Sequence, residues 1–150
     1  MKNFLYLALI VGFAFSSCAK KKAEKQADAD ETIIQNYIAA NGLIATATGT
    51  GLYYVINEAG AGQSCTANSD VKVAYKGYLP NGNVFDESAD GISFNLQGVI
   101  RGWTEGIPFF KEGGNGILLI PSALGYGTNA VGSIPANSVL IFEVELIEVF

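Results

Sequence analysis

The sequence Val-Ile-Arg-Gly-Trp-Thr-Glu-Gly, residues 99–106, joins an apolar pair, a glycine and the single tryptophan of the chain to a short run that predicts a helix. A tryptophan at the start of a helix brings a large apolar plane to one place, and its indole N–H needs only one partner. Such a residue forms the floor of a core or of a pocket. The segments on either side decide between these two interpretations.

Short segments with apolar or alternating side chains lie on both sides of this helix and predict strands. The clearest covers residues 70–79, in which every second side chain is apolar, as in a strand with one buried face. In the last segment the apolar positions alternate with Glu143 and Glu145, which should face solvent. Glycine-rich turns separate the segments. We predict strands over residues 52–58, 70–79, 84–86, 92–96, 116–120 and 138–150, with Leu140, Phe142, Val144 and Leu146 facing inward.

The helix that begins near Arg101 should be short. Pro108 has no N–H, and its ring would clash with the Thr104 carbonyl group if the helix continued through it. We therefore predict about two turns, or a kink at the proline.

The composition excludes some classes of function. The chain has 150 residues and a formal net charge of −5, and 49% of its residues are hydrophobic, which is ample for one core. Beyond residue 50 it carries four cationic residues against ten carboxylates. Because binding to nucleic acid requires a basic face, we expect no nucleic-acid partner.

The sequence contains no histidine. This excludes Ser-His-Asp triads, Cys-His dyads and other imidazole-based catalysis, and it removes the most common metal ligand. The acidic residues do not follow the spacing of a calcium-binding loop. We therefore expect neither a metal nor a cofactor.

The N-terminal segment has the pattern of a secretory signal. Its apolar run over residues 4–15 is too short for a permanent membrane span. Two serines precede Cys18, which resembles the lipobox of bacterial lipoproteins, although Phe15 occupies a position where leucine is usual. We predict a signal peptide over residues 1–17 and lipidation of Cys18, with an ordinary cleaved signal or an uncleaved anchor as alternatives. The prediction implies a protein of the bacterial cell envelope, bound through its lipid to the outer membrane.

The segment over residues 18–30 has no large apolar side chain, so it should not bury enough surface to fold. We predict a flexible charged linker, whose lysines either stay solvated or contact anionic lipid. Residues 31–41 have apolar side chains four positions apart, which predicts a helix capped by Asp30 and ended by Gly42. At about eleven residues this helix is marginal alone and should dock on the following domain. The helix and its connector together occupy residues 31–50.

The second cysteine, Cys65, follows a glycine-rich turn. With Cys18 lipidated it has no intramolecular partner, so we expect no structural disulfide. A partly exposed thiol and a small buried apolar side chain are both compatible with its position.

Five segments then stand in an order that identifies a family. They are Val-Ala-Tyr-Lys-Gly at 73–77, Val-Phe-Asp at 84–86, Val-Ile-Arg-Gly-Trp at 99–103, Ile-Pro-Ser-Ala-Leu-Gly-Tyr-Gly at 120–127 and Ile-Pro-Ala-Asn-Ser-Val-Leu-Ile-Phe at 134–142. Together they resemble the FK506-binding-protein (FKBP) family of peptidyl-prolyl cis/trans isomerases over residues 51–150. The resemblance implies an α+β fold, in which a curved antiparallel sheet of about five strands wraps around one short α-helix. We expect a monomer, because the N-terminal helix is short.

The resemblance also implies a site. Trp103 would form the floor under a prolyl ring, and the Ile100 N–H and the Tyr126 hydroxyl would bind the substrate. The implied partners are proline-containing polypeptides and macrolides of the FK506 and rapamycin type. The residues carried over are catalytic Tyr75, Phe85, Asp86, Tyr126 and Phe142, and substrate-binding Val99, Ile100, Trp103 and Ile134.

Three departures from the family pattern affect the rim of this site. Ala89 and Asp90 stand where family members often have an arginine that interacts with the aspartate. Ile92 replaces a common aromatic residue, and Val131 occupies the loop tip that often carries a ring. We expect weaker macrolide binding for this reason. The alternative function is a non-catalytic FKBP-like binding module or holdase chaperone on a lipid tether; a purely structural lipoprotein has no support in the sequence.

Overall fold

The computed structural model describes residues 3–150, with side chains from residue 18 onward. This part of the chain forms six antiparallel strands in the order β1-β2-β5-β6-β3-β4 and two α-helices. The predicted fold class is confirmed, with six strands where about five were expected. The helices are α1 (Asn3–Asn41) and α2 (Arg101–Gly106), and the strands are β1 (Thr46–Ala47), β2 (Tyr53–Glu58), β3 (Asp70–Tyr78), β4 (Val84–Asn95), β5 (Asn115–Ile120) and β6 (Leu140–Val149).

Strand β4 is one strand where the sequence predicted two short ones. Val73 of β3 pairs with Ile92, and Tyr75 pairs with Ser88, so three residues of β4 lie opposite the single residue Ala74. Gly91 adopts φ 75° in this bulge, a conformation that costs glycine little. The polar run before Ile92 therefore bends the strand and does not end it.

Helix α2 lies directly on the inner face of the sheet. A Cβ atom at Gly102 would be 2.5 Å from the Ile120 side chain, and one at Gly106 would be 2.7 Å from Leu118. Both glycines face β5, so only residues without a side chain allow this approach. A single turn of 3₁₀-helix over Ile107–Phe109 contains Pro108 and ends the segment, as the proline predicted.

Helix α1 ends where the sequence predicted but begins much earlier. Gly42 adopts φ 60°, and the Leu43 N–H donates to the Ile38 carbonyl group, which closes the helix. The expected N-cap, Asp30, lies inside the helix, so the predicted start at residue 31 is wrong. Residues 18–30, which we expected to be flexible, are helical. Their Lys, Ala, Glu and Gln residues are strong helix formers, and they extend a helix whose costly first turns are stabilised by docking.

The predicted signal peptide lies outside the residues whose side chains are described. Among residues 18–150, whose side chains the structure describes, no helix is long and apolar enough to cross a membrane.

The C-terminal part of α1 packs against the outer face of β2 and β5. Ile34 is fully buried there, in a second core with Val55, Leu119 and Val139. The Tyr53 hydroxyl donates to Glu31 Oε1 at 2.7 Å, which adds a polar contact at the edge of this core. The predicted docking of the helix is therefore present.

We expect Ile34→Ala to lower the free energy of unfolding by about 2–5 kcal/mol, the usual range for truncating a buried isoleucine. Ile33→Ala is the matched control because Ile33 is 38% exposed and should cost less than about 1 kcal/mol. Urea unfolding of both variants measures the difference. Equal losses would show that the second core contributes little to stability.

The two cysteines are both free, and their environments differ. Cys18 is exposed on α1, whereas Cys65 is 7% exposed and belongs to the main core. Burial raises the pKa of the Cys65 thiol, which keeps it protonated and unreactive at neutral pH. Of the two alternatives left open for this residue, the buried apolar side chain is the one observed.

Candidate active site

A cavity of about 660 Å³ opens between the start of α2, the inner face of β3, β4 and β6, and the loop that precedes β6. The structure brings all nine residues predicted from the sequence to its walls, while their individual roles stay predictions. They are Tyr75, Phe85, Asp86, Val99, Ile100, Trp103, Tyr126, Ile134 and Phe142.

The floor of the cavity is a cluster of aromatic rings around Trp103. The indole is 5% exposed and meets the edges of two rings, Tyr75 at a centroid distance of 5.0 Å and Phe142 at 5.1 Å. Phe94 approaches it from a third side at 5.3 Å. Edge-to-face pairs of this kind are favourable and fix the rings relative to one another. The only tryptophan thus belongs to both the core and the cavity.

Phe85 and Phe142 form one wall, and a glycine makes room for them. Their rings meet edge to face at 5.4 Å. A Cβ atom at Gly77 of β3 would be 2.5 Å from the Phe85 ring and 2.6 Å from the Phe142 ring. The two rings therefore lie directly on the backbone of the strand, which holds the wall close to Trp103.

Asp86 is the charged group in the wall, and its observed partner is Tyr75. The Tyr75 hydroxyl donates to Asp86 Oδ2 at 2.7 Å. The tyrosine supplies a hydrogen bond to the carboxylate from the neighbouring strand, although Ala89 and Asp90 stand where an arginine is common. Burial, and then the hydrogen bond to Asp86, raise the pKa of Tyr75 to about 12. The phenol is therefore a protonated donor at neutral pH.

The indole N–H of Trp103 is buried, and no acceptor for it lies among the described residues. A buried donor without a partner costs about 1–3 kcal/mol. The indole N–H is thus a polar group in a cavity floor that is otherwise apolar. In the same part of the chain, no three His, Cys, Asp or Glu side chains gather closely enough to hold a metal ion.

Two backbone turns position the residues of the remaining cavity walls. The Ile100 carbonyl accepts from the Trp103 N–H at 2.9 Å and starts α2, so the Ile100 N–H stays outside the helical bonds. In the loop before β6, Val131 and Ile134 exchange two backbone hydrogen bonds, of 3.0 and 2.9 Å. This tight turn directs Ile134 inward and leaves Val131 exposed at the rim.

Sequence reasoning missed part of the lining. Phe94 was not predicted, although it alternates with Ile92 and Leu96 in a predicted strand, which was a usable signal. Ile92 and Val131 were noted only as departures from a family pattern, and both line the mouth of the cavity. The other unpredicted lining residues are Gly98, Gly132 and Ser133, which have no side-chain pattern that could identify them.

The comparison with known families covers the whole site. Residues 62–147 match the family described as FKBP-type peptidyl-prolyl cis-trans isomerase. This stretch is more than half of the chain and contains all nine predicted site residues. The chain belongs to this family. The FKBP resemblance that five short segments indicated is confirmed.

Several FKBP relatives cover most of the chain. The isomerase FkpA of Escherichia coli is 42% identical over 139 residues, which are 89% of this chain and 51% of the relative. A probable FKBP-type isomerase of Haemophilus influenzae is 46% identical over 114 residues, 73% of this chain and 47% of the relative. The chain thus spans about half the length of the curated FKBP relatives that it matches.

Solved FKBP structures have the same fold. The crystal structure of E. coli FkpA superposes with a TM-score of 0.73 at 40% identity, covering 89% of this chain and 65% of that one. A peptidyl-prolyl cis-trans isomerase of Pseudomonas syringae gives a TM-score of 0.74 at 34% identity, covering 84% of this chain and 94% of that one.

Proposed function

We propose that this chain is a peptidyl-prolyl cis/trans isomerase that accelerates the folding of secreted or envelope proteins. The observation that carries the proposal is that the nine residues carried over from the FKBP resemblance line one aromatic cavity, in a chain of that family. Its substrates are proline-containing polypeptides, and macrolides of the FK506 and rapamycin type are further candidate ligands, bound more weakly because of Ile92 and Val131.

The proposed catalysis needs no proton transfer. Rotation of the X–Pro amide crosses a barrier of about 18–20 kcal/mol, and the charge separation of the planar amide is lost in the twisted state. A dry aromatic cavity therefore disfavours the planar state more than the twisted one and binds the transition state preferentially. Withholding a hydrogen bond from the carbonyl group is worth roughly 1–3 kcal/mol, or about tenfold to hundredfold in rate. Positioning of the flanking backbone supplies the rest.

Each wall has a proposed part in this mechanism. Trp103 supports the prolyl ring, and the Ile100 N–H and the Tyr126 hydroxyl hold the flanking backbone. Tyr75 orients Asp86 through their hydrogen bond. Together with Phe85 and Phe142 it surrounds the rotating carbonyl group. Val99 and Ile134 contribute apolar sides to the pocket.

A proline-isomerisation assay with the full chain tests the proposal. We expect the cis-to-trans reaction of a short X–Pro peptide to accelerate in proportion to protein concentration when micromolar protein is added. A chain that suppresses aggregation of an unfolded client but gives no acceleration would instead be the holdase or binding module.

The pH dependence is a separate prediction. Because the raised pKa of about 12 keeps Tyr75 protonated, kcat/KM should be flat between about pH 6 and 8. The phenol ionises near 10.0 in the unfolded chain and near 12 in the folded one. The contribution of Tyr75 to stability is therefore complete below pH 10 and is lost as the pH rises toward 12. Assays and thermal unfolding across this range measure both effects. A bell-shaped profile that disappears in Asp86→Asn would contradict the mechanism.

We also propose that the chain is a lipoprotein of the bacterial envelope, anchored to the outer membrane through Cys18. The expectation of a monomer relied on a short N-terminal helix, and the 39 residues of α1 remove that reason. The exposure of Cys18 is compatible with modification, whereas Cys65 is buried. In cells fed labelled fatty acid, Cys18→Ala should abolish labelling and membrane partition, and Cys65→Ala should leave both unchanged. Labelling that persists in Cys18→Ala would refute the anchor.

A further inference from the structure

Asp30 of α1 is a charged residue that is only 1% exposed. Its Oδ2 accepts two hydrogen bonds from Ser122, at 2.8 Å from the backbone N–H and at 2.6 Å from the hydroxyl. The side-chain amide of Gln26 donates to the other carboxylate oxygen at 2.8 Å. Both carboxylate oxygens are therefore satisfied, and most of the bonding is directed at one residue of the domain.

Ser122 holds the loop after β5 together through backbone hydrogen bonds. It is 2% exposed and directly follows Pro121 at the end of the strand. The carbonyl oxygen of Ser122 accepts from the Gly125 N–H at 3.0 Å and from the Gly127 N–H at 2.8 Å. These two glycines flank Tyr126, which lines the cavity. A continuous path of hydrogen bonds thus runs from the carboxylate on α1 to both neighbours of a cavity residue.

We propose that Asp30 is a positioning residue, which sets the place of the Tyr126 hydroxyl by holding Ser122. This inference rests on the proposed function, in which Tyr126 binds the substrate backbone. The carboxylate holds Ser122 at both its N–H and its hydroxyl. This fixes the residue whose carbonyl group, in the next peptide unit, supports the turn around Tyr126. Substrate binding then depends on an N-terminal helix that lies on the opposite face of the sheet.

The role of Asp30 differs from simple docking of the helix. Docking has its own apolar core, in which Ile34 packs with Val55, Leu119 and Val139. A residue needed only for docking could be apolar at position 30. A buried carboxylate that accepts both donors of one serine indicates a requirement for orientation, because hydrogen bonds are directional and apolar contacts are not.

Amide hydrogen exchange tests the structural half of the proposal without any assay of activity. In Asp30→Ala, exchange at Gly125 and Gly127 should become roughly tenfold faster, because Ser122 loses its acceptor and the turn opens more often. In Asp30→Asn it should return toward the wild-type rate, since the amide oxygen can accept both Ser122 donors. Asp28→Ala, which removes an exposed carboxylate from the same helix, should change nothing. Unchanged protection of the two glycines in Asp30→Ala would overturn the proposal.

A double-mutant cycle tests the functional half. Asp30→Ala should lower kcat/KM by roughly threefold to thirtyfold, chiefly through KM, and Asp30→Asn should restore most of it. In a Tyr126→Phe background the same substitution should have an effect below about twofold, because the hydroxyl that it positions is gone. An equal loss in both backgrounds, measured on fully folded protein, would mean that Asp30 does not act through the Tyr126 hydroxyl and would overturn the proposal.

The two proposals fail in different ways. If wild-type protein does not accelerate isomerisation, the proposed function is wrong. The exchange rates at Gly125 and Gly127 still decide whether Asp30 orders the turn around Tyr126.

Discussion

Phe142→Ala is expected to lower kcat/KM for prolyl isomerisation by about a hundredfold. The Phe142 side chain contacts three rings of the cavity, with centroid distances of 5.1 Å to Trp103, 5.4 Å to Phe85 and 6.2 Å to Tyr75. Its removal admits water to the place where the carbonyl group rotates and releases the neighbouring rings at the same time. The assay is run where circular dichroism shows the variant to be folded, because truncating a buried phenylalanine also costs about 3–5 kcal/mol. Phe142→Leu, which refills much of the volume, should lose about tenfold.

Asp86→Asn is the control that distinguishes the apolar mechanism from direct action of the carboxylate. The substitution keeps the volume of the side chain and an oxygen that accepts from the Tyr75 hydroxyl, so it should cost less than about tenfold. If this variant lost more activity than Phe142→Ala, the carboxylate would act directly and the apolar mechanism would be wrong.

Gly116→Ala should lower stability more than the same change at the other glycines among residues 18–150, because its added Cβ atom would make the closest contact. Gly116 lies in the middle of the sheet, paired with Ile56 of β2 and Val144 of β6. A Cβ atom there would overlap the Val55 carbonyl oxygen and lie 2.8 Å from the Phe110 ring. Neither a backbone carbonyl between two paired strands nor a fully packed ring can move aside easily. We expect a loss of about 3 kcal/mol or more, which is a fall in Tm of roughly 10 °C.

Gly98→Ala is the matched control for this substitution. A Cβ atom at Gly98 meets nothing within 4 Å, and its backbone is not left-handed. Its Tm should stay unchanged or rise slightly, because alanine reduces the entropy of the unfolded chain. A fall in Tm at Gly98 as large as that at Gly116 would show that the loss reflects the removal of glycine in general and not the contact with Val55.

The sheet and the cavity could be predicted because their determinants are local. The alternation of apolar and polar side chains along β3 and β6 identifies the buried face of the sheet. The short segments around Phe85, Trp103 and Tyr126 each show the family pattern within a few residues. The short length of α2 also followed from one residue, Pro108, because proline has no N–H for the helical hydrogen bond of its own turn.

Features that depend on distant contacts could not be predicted. Asp30 looked like a helix cap because its partner, Ser122, is 92 positions away in the sequence. The polar run before Ile92 looked like the end of a strand because the pairing of β3 on both sides of a bulge is invisible in β4 alone. The helical state of residues 18–30 depends on docking further along α1, which composition does not reveal.

The continuity of α1 determines how the cavity can reach its substrates. The helix runs without a break from the exposed Cys18 to the buried Asp30, a rise of about 18 Å. With Cys18 held at a membrane, as we propose, a flexible chain of that length would let the domain tumble freely and lie flat on the lipid. A stiff helix fixed to the domain by Asp30 and Ile34 instead restricts it to swinging about the anchor point. The mouth of the cavity then stays at a fixed distance from the anchored residue, and polypeptides that pass within this distance of the bilayer are the ones it meets.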